Sequence, residues 1–91
     1  MYACSSDEVR KVSRFEKGSA YFDRGEYKKA EIELKNAVQI DPEYVDAHLK
    51  LAGTYLKLGN AQDAFQSYMK VTTLDPDNTD ARINLATLYL L

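Results

Sequence analysis

The sequence holds no tryptophan, one cysteine, one histidine and two prolines, and neither sign of charge dominates it. A lone thiol, Cys4, cannot close an internal disulfide, and together with a lone imidazole, His48, it cannot assemble a metal site. No metal or other cofactor is expected, and no covalent staple. With 12 basic and 14 acidic residues the net charge is -2, which offers no general attraction for nucleic acid and no polybasic grip on a membrane. Nucleic acid is excluded as an expected partner. Long apolar runs are missing as well: a bilayer span needs roughly 20 apolar residues, and the apolar stretch that ends the chain, INLATLYLL at 83–91, is broken by Asn84 and Thr87. The 91 residues make one small domain, which buries roughly 60 to 65% of its unfolded surface.

What is present is repetition at one fixed interval. Asp41-Pro42 returns as Asp75-Pro76 and Gly25 as Gly59, each 34 residues on. Ala30 returns as Ala64, Tyr21 as Tyr55 and Tyr89, and Leu51-Ala52 as Leu85-Ala86. INLATLYLL is thus a copy of LKLAGTYLK, a stretch already used once.

Local chemistry turns this interval into elements. Val45, Leu49, Leu51, Ala52, Tyr55, Leu56 and Leu58 recur at three- and four-residue steps, the spacing of one helix face. Gly59 permits a left-handed end to that helix, and Asn60 can cap the next one, with Asp63 in its first turn. Ala30 and Ala64 stand where two helices approach closely, so larger side chains there would overpack the contact. Pro42 and Pro76 stop the second helix of each pair, and Glu31 and Lys35 form a favourable i, i+4 pair. The expectation is an all-α fold of five helices at about 7–23, 27–40, 45–58, 61–73 and 80–91, with no strand.

A 34-residue unit with small residues and Tyr in its first half, Ala in its second and a closing Pro resembles the tetratricopeptide repeat. The matches are Gly18, Tyr21, Tyr27, Ala30, Leu34, Ala37 and Pro42, then Leu51, Ala52, Tyr55, Ala64, Tyr68, Val71 and Pro76. Arg14, His48 and Arg82 occupy the place of the family's Trp, and Lys17 that of a Leu, which weakens packing of the first unit. In this register residues 1–10 are a tail and the start of the first helix, 11–44 and 45–78 are two repeats, and 79–91 is the first helix of a third. The resemblance implies a right-handed α-α superhelix whose units contact only their neighbours.

It also implies a concave groove, lined by Val12, Phe15, Ser19, Phe22 and Asp23 of the first unit, and by Asp46, Leu49, Gly53, Leu56 and Lys57 of the second. Asp80, Ile83, Thr87 and Leu90 follow from the last helix. Two apolar rows result, Phe15-Leu49-Ile83 and Phe22-Leu56-Leu90, with the small residues Ser19, Gly53 and Thr87 between them. Such a trough suits an amphipathic helix or an extended apolar peptide, although the same rows also serve ordinary helix packing. The clamp by which a subset of the family grips a terminal carboxylate is missing, because its positions hold Phe15, Ser19, Lys50, Asp80 and Asn84. Recognition of chaperone tails is therefore not implied. His48 has no Ser, Cys or second His paired to it by repeat geometry, so no catalytic site and no enzyme is expected.

Ala3-Cys4-Ser5-Ser6 resembles the processing junction of bacterial lipoproteins, with Cys4 as a candidate lipid attachment point and Met1 as an artificial start. On that reading the protein sits lipid-anchored in the bacterial cell envelope, facing the periplasm; with Cys4 an ordinary free thiol it is cytoplasmic. One segment would separate Cys4 from the first helix, and Arg10, Arg14 and Lys17 would share a face, read first as solvated and second as facing anionic headgroups. YFDRGEYKKAEIELKNAVQIDP is similar to tetratricopeptide lipoproteins of bacterial exosortase and exopolysaccharide-export systems, with pilus-assembly lipoproteins a second similar group. The expected function is a non-enzymatic scaffold that binds a protein or peptide, as a piece of a longer envelope protein. The alternative is self-association through 79–91. Leu85, Ala86 and Tyr89 are expected to pack back onto the second repeat, leaving Leu88 and Leu91 as the exposed, fraying remainder.

Overall fold

The structure is a computed structural model that describes residues 2–90, with side chains described from Ser6 to Leu90. Two glycines turn the chain back on itself. Gly25 and Gly59 both adopt φ of 77°, a left-handed backbone that glycine reaches at no steric cost. Nothing lies within 4 Å of a Cβ built at either, so the backbone conformation and not the space demands glycine. At each turn the amide beyond the glycine reaches back five residues, Glu26 to the Tyr21 carbonyl at 2.9 Å and Asn60 to that of Tyr55 at 2.8 Å. The glycine amides close the inner bond, to Phe22 at 2.9 Å and Leu56 at 3.0 Å, which completes a Schellman end on both helices.

The helices so punctuated are α1 (Tyr2–Asp23), α2 (Tyr27–Ile40), α3 (Val45–Lys57), α4 (Ala61–Leu74) and α5 (Thr79–Tyr89), with no strand among the described residues. The second break falls at the two Asp-Pro pairs. The Asp41 and Asp75 amides still bond back to Ala37 and Val71, after which proline, lacking an N–H and crowding the residue before it, ends the helix. Asn78 then opens α5, its side chain accepting from the Ala81 amide at 3.0 Å. Asn60 behaves differently from expectation: it sits at the start of α4 but caps no backbone amide, and its Nδ2 donates instead to Asp63 Oδ2 at 2.7 Å.

Each helix packs mainly on the next, so the chain forms two hairpins, α1–α2 and α3–α4, with α5 laid beside the second. The core is built from alanines alternating with a few large residues. Ala30, Leu34 and Ala37 of α2, Ala47, Leu51, Ala52 and Tyr55 of α3, and Ala64, Tyr68 and Val71 of α4 are buried, with Ala81 and Leu85 from α5. Small residues let helix axes approach until the large ones interlock. The tightest of the glycines is Gly18, where a Cβ would lie 2.6 Å from Leu34 Cγ.

Two ends depart from expectation. At the N-terminal end α1 is helical from Tyr2, so Cys4 lies within the helix and no segment separates the two; its side chain is outside the described residues. Arg10 pairs with Asp7 at 3.1 Å and Arg14 with Glu33 of α2 at 3.0 Å, so two of the three basic residues at that spacing on α1 are engaged in local pairs. Ser13 and Lys17, the counterparts of buried Ala47 and Leu51, are exposed.

At the other end Leu85 packs inward as expected, but Ala86 is exposed and Tyr89 is 69% exposed, whereas its counterpart Tyr55 is 9% exposed. The reason is the direction of that face. Gly18, the counterpart of Ala52 and Ala86, meets the second helix of its own hairpin, and among the described residues α5 has no such helix beside it. Tyr89 keeps only an edge contact with Phe65 of α4, ring centroids 5.2 Å apart. Leu88, expected to be exposed, packs on the core. Leu90 follows the last residue of α5 and is 88% exposed; Leu91 lies outside the described residues.

One ion pair ties α1 to the turn between α2 and α3. Lys11 Nζ donates to Asp41 Oδ2 at 2.6 Å, is also 2.9 Å from Glu8, and sits 5.1 Å from the centre of the Tyr44 ring. The Lys11 ammonium, helped by the Glu43 amide, holds the Asp41 carboxyl below its usual range. A carboxyl whose folded value is depressed binds fewer protons in the folded chain, so it stabilises above the unfolded value, near pH 4, and this is lost as pH falls through the lower folded value. Denaturant titrations across that acid range are expected to show a declining limb that Lys11→Met makes shallower.

Candidate functional site

The first helices of the hairpins stand side by side, and between α1 and α3, with α5 at the edge, lies a groove of about 350 Å³. Phe15 and Phe22 enter it from α1, Asp46, Leu49, Lys50 and Gly53 from α3, and Asp80 from α5. On α3 the steps 46, 49, 50 and 53 are those of one helix face. Phe15 is held by Tyr44, centroids 5.2 Å apart, and Phe22 by an edge contact with Tyr27 at 5.3 Å. Phe15, Phe22 and Leu49 also pack against the buried core, so the groove floor is continuous with it and its shape is fixed by packing.

Gly53 makes the groove. A Cβ there would come no closer than 3.8 Å to the Phe22 ring, so the missing side chain leaves accessible space over the aromatic floor. Lys50 Nζ lies 4.8 Å from the centre of the Phe22 ring, an attraction of cation for the ring face. Asp46 and Asp80 are exposed and each stands in the first turn of its helix, where a carboxylate complements the helix dipole. Among the described residues neither has an ion-pair partner, as is also true of Glu16, Asp23, Glu43, Asp63, Asp75 and Asp77.

Of the residues expected to line a groove, Phe15, Phe22, Asp46, Leu49, Gly53 and Asp80 come together here. The others do not. Val12 borders a separate shallow hollow on α1 with Glu8, Val9, Ser13 and Glu16. Ile83, the counterpart of Phe15 and Leu49, lies in another hollow with Thr79, Arg82 and Ala86, because among the described residues no further first helix stands beside α5. Asp23, Leu56 and Lys57 are exposed at the far ends of α1 and α3. Thr87 donates its hydroxyl to the Ile83 carbonyl at 3.0 Å, and Leu90 lies past the end of α5. The Ser19 hydroxyl is buried without a hydrogen-bond partner among the described residues. The two long apolar rows therefore shorten to one patch.

Lys50 was legible in the sequence only as a clamp position; its step of four from Asp46 is the signal that puts it in the groove. His48 Nε2 donates to the Pro42 carbonyl at 2.8 Å, binding the first turn of α3 to the Asp-Pro turn before it.

Comparison with known proteins agrees with this architecture. No curated protein sequence matches the chain significantly. Among solved structures, the first TPR of Spaghetti (RPAP3) bound to the HSP90 peptide SRMEEVD is similar, at 25% identity and a TM-score of 0.85, over 88% of this chain and 64% of that one. The crystal structure of MamA is similar at 26% identity and a TM-score of 0.86, over 88% of this chain and 47% of that one. The second TPR of Spaghetti, also bound to SRMEEVD, shares the fold at 19% identity and a TM-score of 0.91, over 99% of this chain and 82% of that one. This chain thus spans less than two thirds of the first two. Family models described as TPR repeat and as tetratricopeptide repeat match residues 18–59 and 45–78, and with five helices stacked as repeated hairpins the chain belongs to the tetratricopeptide repeat family.

Proposed function

We propose that this chain is a non-enzymatic scaffold that binds a protein or peptide segment in the groove between α1 and α3. The observation that supports it most is the aromatic floor of Phe15 and Phe22 left uncovered at Gly53. Half-buried aromatic anchors beside accessible space are what peptide recognition uses. Two similar structures were solved with the HSP90 peptide SRMEEVD, which supports a peptide as the class of partner. Filling the groove by Gly53→Leu is the test of this reading.

We further propose that the chain is part of a longer bacterial envelope protein tethered through lipid on Cys4. The Ala-Cys-Ser-Ser junction supports it. Expressed behind its native leader, the protein is expected to fractionate with membranes and its Cys4→Ser variant with the soluble pool; equal distribution of the two would sink the tether. A second reading, self-association through residues 79–91, draws on the uncovered Ala86 and Tyr89 of α5.

A further inference from the structure

We infer that the groove between α1 and α3 takes a cationic peptide, a segment in which one Arg or Lys side chain stands next to large apolar ones; this rests on the peptide-binding reading above. The apolar neighbours lie on Phe15, Phe22 and Leu49, with Gly53 admitting the peptide backbone or a side chain. The cation goes to the edge of the same groove, where Asp46 of α3 and Asp80 of α5 present carboxylates.

Three observations select a cation. First, Asp46 and Asp80 occupy the same position in successive units, 34 residues apart, so adjacent helices bring them to one mouth. Second, neither is engaged: eight of the fourteen acidic residues, these two among them, have no ion-pair partner among the described residues, so both charges are free to meet a ligand. Third, the one cation lining the groove, Lys50, is turned to the Phe22 ring at 4.8 Å although Asp46 lies one helical turn away. The groove therefore presents an apolar floor with a negative edge and leaves those charges for a partner. A net acidic segment such as SRMEEVD, whose three carboxylates outnumber its one Arg, meets the wrong sign, and an apolar segment without a cation leaves both carboxylates unpaired.

The test is calorimetric titration of the whole chain with a short capped peptide of Leu, Ser and Gly that carries a single Arg, with its Glu-for-Arg counterpart, and with SRMEEVD. The Arg peptide is expected to bind about tenfold more tightly than the Glu peptide at low salt, the difference shrinking as salt screens it, and SRMEEVD not to bind. Asp46→Asn with Asp80→Asn is expected to erase that difference while leaving the helical circular dichroism unchanged. Equal binding of the Arg and Glu peptides would overturn the cationic preference and leave the groove reading standing; binding of none would overturn both. If the chain self-associates at the concentrations used and the Asn variant does not, the occupant is a second copy and the inference fails.

Discussion

Leu34→Ala is expected to remove about 2 to 5 kcal/mol of stability, a large part of the roughly 5 to 15 kcal/mol that holds a domain together. The side chain is fully enclosed and is seated against Gly18, beside the Ala30 carbonyl. Alanine leaves a cavity that helices on both sides cannot close without breaking the alanine contacts along α2. A guanidinium titration is expected to show a lower midpoint with an unchanged slope. The partner substitution sharpens the test. Gly18→Ala puts a methyl 2.6 Å from Leu34 Cγ and 2.9 Å from Cδ2, and because Cγ is the branch point and not a free end, the enclosed leucine has to move. Overpacking costs about 1 to 3 kcal/mol, against about 1 kcal/mol gained by alanine over glycine in a helix. In the Leu34→Ala background the same methyl enters vacated space, so Gly18→Ala becomes stabilising there. Strict additivity of the two changes would show that they do not touch.

Gly53→Leu is expected to do the opposite to stability and the most to function. The residue is the counterpart of Ser19 and Thr87, lies inside α3 and has no positive φ. A Cβ there meets the Phe22 ring at ordinary contact distance and nothing closer. Replacing a helical glycine by a good helix former contributes up to about 1 kcal/mol, so the thermal midpoint is expected to hold or rise. The same leucine covers Phe22 and fills the space a peptide would use, so affinity for the apolar Arg peptide is expected to fall at least about tenfold, roughly 1.4 kcal/mol. Two glycines of one helical repeat array thus answer to different demands, Gly18 to the approach of α2 and Gly53 to an open floor.

The 34-residue interval made most of the fold legible, because each unit repeats one set of contacts and a match in one place predicts the contact in the next. Gly25, Gly59, Pro42 and Pro76 mark all four turns for physical reasons that need no tertiary context. What repetition could not convey was the effect of the ends. Ala86 and Tyr89 copy Ala52 and Tyr55 in sequence, yet they stay exposed because burial of those positions is supplied by the next helix of the same hairpin. Ile83 falls outside the groove because no further first helix stands beside α5 among the described residues, and Leu90 because α5 ends before it. Asn60 has the right residue type for a cap, but Asp63 competes for its side chain, a choice that a one-residue preference does not encode. The step of four from Asp46 places Lys50 in the groove, but where its ammonium sits follows from the ring of Phe22, on another helix.

The central claim is that the face formed by α1 and α3 receives the partner, and amide chemical-shift mapping of the labelled chain titrated with the apolar Arg peptide tests it most directly. Shifts concentrated at Phe15, Phe22, Leu49, Gly53 and the two carboxylates Asp46 and Asp80 are the predicted result. Shifts concentrated at Phe65, Ala86 and Tyr89, with the α1–α3 groove unmoved, would contradict it and make the open face of α5 the binding surface.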